Sequence, residues 1–227
     1  TAFAAKPVPY FEGFEEGNTD QKNVAGWLQQ SESGSNSWVA NTTQTDYNRT
    51  RYAGSWNATL YRSNTDWLFQ ALTLEAGENY ALSLYARQDK DNTSYANITA
   101  ALGNAFNKDA MTTTLISKIG LTNGDYQLLT DTFQVAETKA YALGIKGYMN
   151  GAPYYISLDN ILVSQEVYPL KDSLFFDVLT EEAVRTALAA LTLTAVDTKG
   201  NTKHTFDNLA ENWVLDLENK KATYTVA

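Results

Sequence analysis

Two segments that lie far apart in the chain each carry an acidic residue among large apolar ones. The first, Tyr10–Gly17, contains Glu15, and the second, Tyr154–Val163, contains Asp159. A carboxylate in an otherwise buried strand is costly unless a partner neutralises it. If the two strands lie side by side, both carboxylates can share one cation, and calcium suits them because it accepts carboxylate and backbone oxygens in flexible geometry. The alternative is that both acids are solvated residues near a sheet edge.

Composition excludes several classes of function. The chain has 227 residues, of which 44% are hydrophobic, and its net charge is -9. An acidic globular protein of this kind is not expected to bind nucleic acid or an anionic membrane. The absence of cysteine excludes thiol catalysis and zinc-thiolate sites, and the single histidine, His204, excludes a histidine-rich metal site. No apolar run is long enough for membrane insertion.

Short apolar runs separated by turn residues predict an all-β fold. In Tyr80–Arg87, the side chains of Tyr80, Leu82 and Leu84 fall on one face and the intervening residues on the other. This alternation is typical of a half-buried strand. Because no helical periodicity separates such runs, we expect two packed antiparallel sheets, a β-sandwich of the jelly-roll type. That fold also places the first and last strands next to each other.

The pattern changes near residue 167, which divides the chain into a predicted jelly-roll domain (1–166) and a small accessory domain (167–227). In the second part, Thr180 is a suitable N-cap for one short amphipathic helix. Two hairpins are predicted after it, one over Leu191–Phe206 and one over Trp213–Val226. The accessory domain is therefore expected to be mostly β, either α+β or immunoglobulin-like.

A long polar stretch over 31–57 is punctuated by aromatic residues. Aromatic rings stack on the apolar faces of sugars, while amides and guanidiniums bond the hydroxyl groups. The alternative is that these rings fold back and anchor the loop. The candidate ligand-binding residues are Trp38, Arg51, Tyr52, Trp56 and Tyr61.

The order of several short motifs resembles the cleaved-adhesin domains over residues 9–165. These domains are related to MAM-like and carbohydrate-binding-module jelly rolls, and they occur in surface proteins of anaerobic bacteria, including gingipain-type haemagglutinin-adhesin regions. The resemblance implies a structural calcium ion ligated by Glu15 and Asp159, with assistance from Glu12, Asn18 or Asn160. The motifs are Phe14-Glu15-x-Gly17, Gly26-Trp27, Trp38, Asp66-Trp67-Leu68, Leu74-x-x-Gly77-x-x-Tyr80-x-Leu82 and Leu158-Asp159-Asn160-Ile161.

The expected function is that of an extracellular or cell-surface module without catalytic activity. It would bind a glycan or a host surface protein, be stabilised by calcium, and form part of a larger multidomain surface protein. One alternative is a purely architectural spacer domain, and a third is a glycan-active hydrolase. A glycosidase needs two facing carboxylates in a cleft, and no pair of acids in the sequence is marked by its spacing as such a pair.

Overall fold

The computed structural model describes residues 4–89, 96–121, 124–149, 154–165, 171–175, 180–189, 193–196, 202–206, 213–219 and 221–225. The chain divides into two compact units, Thr1–Glu166 and Val167–Ala227. Within the described residues, every helix is too short or too polar to cross a membrane.

The first unit is built almost entirely of strands. Two 3-10 turns, Asp46–Asn48 and Lys108–Ala110, interrupt them. The strands are β1 (Tyr10–Glu12), β2 (Leu28–Ser33), β3 (Val39–Asn41), β4 (Asn57–Tyr61), β5 (Thr65–Leu74), β6 (Tyr80–Gln88), β7 (Ala96–Gly103), β8 (Met111–Leu121), β9 (Gln127–Phe133), β10 (Lys139–Met149) and β11 (Tyr155–Gln165).

These strands form two antiparallel sheets that enclose one core. Sheet I has the order β3-β4-β11-β6-β9, with β1 also paired to β11. Sheet II has the order β2-β5-β10-β7-β8. The predicted all-β antiparallel sandwich is therefore confirmed.

The closing strand β11 changes its partner in the middle of sheet I. It pairs with β4 up to Leu158 and with the opening strand β1 over Ile161–Val163. Its register against β6 slips between Asp159 and Leu162, and Asn160 has a φ of +45° at this irregularity. Asp159 therefore lies where one partner strand ends and the next begins.

The core follows the alternation read from the sequence. In β6, Tyr80, Leu82 and Leu84 are buried against the opposite sheet. Trp27 belongs to the same core cluster. Trp67 is also buried, but its side chain lies on the face of β5 that points away from this core cluster. There its ring stacks on Phe69, with ring centroids 5.5 Å apart.

In the second unit, the described residues form one helix and five short strands. Helix α1 follows Thr180 and begins with two acidic residues, which favour a helix N-terminus electrostatically. Strands β12, β16 and β15 form one sheet, and β13 and β14 form another. The middle of the hairpin predicted over Leu191–Phe206, at residues 197–201, lies outside the described residues. The elements are β12 (Lys171–Phe175), α1 (Glu181–Ala189), β13 (Leu193–Val196), β14 (Thr202–Phe206), β15 (Trp213–Asp216) and β16 (Lys221–Thr225).

Candidate functional site

Asp159 anchors the start of a loop that passes the point where β11 changes its partner strand. Its Oδ2 accepts hydrogen bonds from the backbone N–H groups of Tyr52 at 2.7 Å and Ala53 at 3.2 Å. Its Oδ1 accepts the N–H of Asn160 at 2.7 Å. The side chain is fully buried. These bonds fix the N-terminal half of the segment over residues 50–56, which we call the 50–56 loop.

Glu15 holds the other half of the 50–56 loop. Its Oε1 accepts the backbone N–H groups of Ser55 at 2.8 Å and Trp56 at 3.0 Å. Gly54 lies directly against this carboxylate, since a Cβ atom added there would come within 2.1 Å of Oε1, and its φ is +61°. Glycine suits this backbone conformation, and a larger residue there would displace the Glu15 carboxylate from the loop. Together the two carboxylates bind four amides of one loop.

The turn that presents Glu15 is fixed by Glu12 and Asn18. Phe14 adopts a φ of +61°; its N–H donates to Glu12 Oε1 at 2.7 Å, and its carbonyl accepts from Asn18 Nδ2 at 2.8 Å. Glu12 Oε2 also accepts Trp27 Nε1, and Asn18 Oδ1 accepts the N–H of Ala25. Glu12 and Asn18, two of the residues predicted to assist as metal ligands, thus bond the chain itself and position Glu15.

The electrostatics of this pair bear on the calcium hypothesis. Burial raises the pKa of Asp159 to about 6, although its three backbone hydrogen bonds oppose the rise, and the charge of Glu15 raises that pKa further. Neither acid forms an ion pair with a basic side chain among the described residues. Within the described residues, both carboxylates are therefore bound to one loop and balanced by amide dipoles rather than by a basic side chain.

The number of oxygen atoms available at Glu15 and Asp159 limits how a metal ion could be coordinated there. Glu15 Oε2 has no hydrogen-bond partner in the part of the chain that the structure describes. That part contains no group of three or more histidine, cysteine or acidic residues suited to a metal. Both oxygens of Asp159 already accept backbone amides, so a calcium ion at this pair would need main-chain or amide oxygens to complete its shell.

Four tyrosines form a contiguous cluster at the neighbouring end of sheet I. Tyr61 and Tyr155 face each other across β4 and β11, with ring centroids 5.1 Å apart. Tyr47 lies 5.1 Å from Tyr154 and 5.9 Å from Tyr155. Tyr47 is 51% exposed, and its φ of +52° projects it from a 3-10 turn. We call Tyr47, Tyr61, Tyr154 and Tyr155 the tyrosine cluster.

Two arginines lie on the faces of these rings. The Arg49 guanidinium carbon is 4.1 Å from the centre of the Tyr155 ring, and that of Arg62 is 4.5 Å from the Tyr154 ring. Arg49 is buried and pairs with Asp46, whereas Arg62 is half-buried. The cation–π contacts hold both guanidiniums beside the tyrosine cluster.

A cavity of about 310 Å³ opens beside Tyr61 and Tyr155. Ligand pockets typically measure about 300 to 1,000 Å³, so this one suits a single small ring. Amide and hydroxyl side chains line it together with the tyrosine faces. The lining residues are Gln21, Asn36, Ser37, Val39, Tyr61 and Tyr155.

The predicted ligand-binding residues separate into three environments. Trp38 has no exposed surface; its Nε1 donates to the carbonyl oxygen of Asp66 at 3.0 Å, so its ring is part of the core and cannot stack on a sugar in this structure. Arg51, Tyr52 and Trp56 belong to the 50–56 loop. Tyr61 alone of the five lies in the tyrosine cluster.

Within the 50–56 loop the side chains largely serve to anchor it. Tyr52 is 45% exposed but stacks on Tyr85 with ring centroids 3.8 Å apart. Trp56 packs against the core, and Arg51 donates from Nε to the Gly54 carbonyl at 3.0 Å. The alternative that loop aromatics fold back and fix the loop describes these contacts.

Several residues of the candidate site carried no sequence signal. Nothing in the sequence distinguishes Arg62, and Gln21 and Asn36 resemble any other turn residues, whereas Tyr47 is one of the aromatic residues of the 31–57 stretch. Their roles follow from the register that sets Tyr155 opposite Tyr61, because that pairing brings the distant segments together. The pair of adjacent tyrosines at the start of β11 is a second local hint.

Asp66 is a second buried carboxylate, and it lies beneath Trp38. Its Oδ2 accepts the N–H of Trp38 at 2.9 Å, while Oδ1 has no partner among the described residues. Burial raises the pKa of Asp66, and the bonds from Trp38 and Gln29 oppose the rise. A raised folded-state pKa means that the stability contributed by Asp66 is full below the unfolded value of about 3.9 and is lost as the pH rises through the folded value.

Asp66→Asn should therefore remove part of the pH dependence of stability. The asparagine keeps an acceptor for Trp38 without a buried charge, so we expect its melting temperature to exceed that of the wild type near pH 8 and the difference to vanish near pH 4. Melting curves across this range, with the exposed Asp109→Asn as control, measure the effect. A wild type that loses no relative stability with rising pH would contradict it.

Solved structures of similar fold were found for this chain. The chain is similar in structure to the K1 cleaved adhesin domain of Lys-gingipain from Porphyromonas gingivalis W83, with a TM-score of 0.55, 13% identity, and coverage of 70% of this chain and 99% of that one. It is also similar to the K2 cleaved adhesin domain of Lys-gingipain, with a TM-score of 0.53, 15% identity, and coverage of 70% and 98% respectively. At such identities the likeness shows the fold alone.

Sequence comparison gives the family itself. No curated protein matches the chain. The family model described as "Carbohydrate binding domain" matches residues 8–146, which is more than half of the chain and includes β1 through most of β10. The chain therefore belongs to this family of carbohydrate-binding domains.

Proposed function

We propose that the first unit is a non-catalytic glycan-binding module that works outside the cell or on a bacterial cell surface, within a larger multidomain surface protein. The observation that carries this proposal is the tyrosine cluster beside the cavity of about 310 Å³. Exposed ring faces bind the C–H surfaces of a sugar, and the amides of Gln21 and Asn36 bind its hydroxyl groups. The family supports carbohydrate as the ligand class.

Calcium has a structural part in this proposal. Bound to Glu15 and Asp159, it would neutralise two carboxylates that four loop amides already orient. The same 50–56 loop follows the turn that carries Tyr47 in the chain. Calcium is thus expected to stabilise the loops near the binding surface without touching the glycan.

Glycan-array binding of the whole chain tests the proposal. We expect the wild type to bind at least one class of oligosaccharide, and Tyr47→Ala and Tyr61→Ala each to weaken binding by about tenfold, in line with the loss of roughly 1 kcal/mol or more per stacked ring. Melting curves establish that each variant is folded. Chromatography of the oligosaccharide after incubation checks that it remains intact.

Tyr148→Ala is the matched control. Tyr148 is 37% exposed and lies on β10 of sheet II. Its truncation therefore removes the same kind of exposed ring, but on the opposite sheet of the sandwich. We expect this variant to bind as the wild type does. Loss of binding only in Tyr148→Ala would place the ligand on sheet II, and binding to no glycan at all would favour the architectural spacer.

A further inference from the structure

Arg62 is unusual among the arginines of this chain. All five arginines lie in the part of the chain that the structure describes. The side chains of the other four donate to the protein: Arg49 to Asp46, Arg51 to Gly54, Arg87 to Thr50 and Arg185 to Glu181. The Arg62 guanidinium makes no hydrogen bond or ion pair with any described residue.

The position of Arg62 is nevertheless fixed. Its guanidinium carbon lies 4.5 Å from the centre of the Tyr154 ring and 5.7 Å from that of Tyr61. Its backbone is held as well, because its N–H donates to the Tyr154 carbonyl at 2.7 Å and its carbonyl accepts from Asn64 at 2.8 Å. Contact with the rings leaves the N–H edges of the guanidinium for another partner.

The acidic residues Asp46 and Asp89, which lie near Arg62 and the tyrosine cluster, already have other partners in the protein. Asp46 pairs with Arg49, and Asp89 Oδ2 accepts the backbone N–H of Tyr154 at 2.9 Å. A chain with net charge -9 thus keeps a half-buried cation, without a bonded acid, at the margin of its aromatic surface. A guanidinium that has lost part of its hydration and retains parallel N–H donors is matched best by a planar carboxylate.

We infer that the tyrosine cluster binds an acidic glycan, one that carries a sugar carboxylate, and that Arg62 bonds this carboxylate. The inference rests on the proposed function and names its ligand class. Tyr61 is the link between the two parts of the site, because its ring lines the cavity and also contacts Arg62. A sugar ring on Tyr61 and Tyr155 can therefore direct an acidic substituent toward the guanidinium.

The experiment compares each acid with its own neutral form. The probes are trigalacturonate, a hyaluronan tetrasaccharide and sialyllactose, each also as the methyl ester, measured by calorimetry on the whole chain at one fixed calcium concentration. A charge-assisted pair contributes roughly 1.5 to 3 kcal/mol, so at least one acid should bind about 10- to 100-fold more tightly than its ester. Arg62→Gln should remove that preference, so that the acid and its ester bind this variant with equal affinity.

Two further variants keep the result interpretable. Arg62→Lys retains the charge but not the paired donors, so we expect it to keep only part of the preference. Arg185→Gln removes an arginine of the second unit and should change nothing. If every acid binds no better than its ester, the inference is overturned while the proposed function stands, whereas failure of all probes and of the glycan array removes both. A sulfated oligosaccharide that binds more tightly than any carboxylate would overturn the carboxylate assignment.

Discussion

Trp38→Ala is expected to lower the free energy of unfolding of the first unit by about 3 to 5 kcal/mol, the usual cost of truncating a buried large aromatic residue. Its indole is fully buried and donates to the Asp66 carbonyl at 3.0 Å. Trp38 also packs so closely under β10 that a Cβ added at Gly147 would approach its ring to 2.4 Å. The structure can therefore close only a small part of the cavity that the variant leaves. Denaturant unfolding followed by circular dichroism measures the loss.

Tyr47→Ala is the control for this measurement. Tyr47 is 51% exposed, so its truncation should change stability by no more than about 0.5 kcal/mol. The two variants distinguish a core role from a ligand-binding role. The sequence allowed either role for both rings, because both lie in the polar 31–57 stretch. A Trp38→Ala protein that unfolds like the wild type and loses only glycan binding would contradict the core assignment.

Fold prediction succeeded where the signal is carried by side chains on one strand. The alternation in Tyr80–Arg87 fixed which face of β6 is buried, because a one-residue slip would expose Leu82 and Leu84. The pairing of β1 with β11 was expected from the jelly-roll fold and from the cost of burying a carboxylate such as Asp159, whereas Glu15 lies outside β1 and is exposed. In both cases the argument depends on residue type at a known position.

The binding surface was harder to predict from the residue types along a single strand. Trp38 and Tyr61 both stand near strand ends among polar residues, yet one is in the core and the other beside a cavity. What separates them is the sheet partner, and pairing between distant strands is set by the whole fold. The hydrogen-bond partners of Glu15 and Asp159 could not be predicted from the sequence either, because they are backbone amides, which every residue except proline has.

Chelation of calcium is expected to lower the melting temperature of the wild type by about 5 to 10 °C at pH 7.5. A ligand at 100 times its dissociation constant adds about 2.7 kcal/mol, and a change of 1 kcal/mol shifts the melting temperature of a domain of this size by about 2 to 4 °C. Asp159→Asn and Glu15→Gln should each abolish the response, because each removes one of the two carboxylates. Glu16→Gln, at an exposed neighbouring acid, should retain it.

The pH dependence of the calcium effect gives a sharper test. Burial raises the pKa of Asp159 to about 6, above its unfolded value, so without metal its contribution to stability is full below about pH 4 and is lost as the pH rises through 6. Calcium binds the ionised carboxylate and competes with the proton. The melting-temperature gain on adding calcium should therefore be small at pH 5 and reach its full size by pH 7.5. A gain that is the same at both pH values, or one that magnesium reproduces, would show that the cation acts elsewhere than at Glu15 and Asp159.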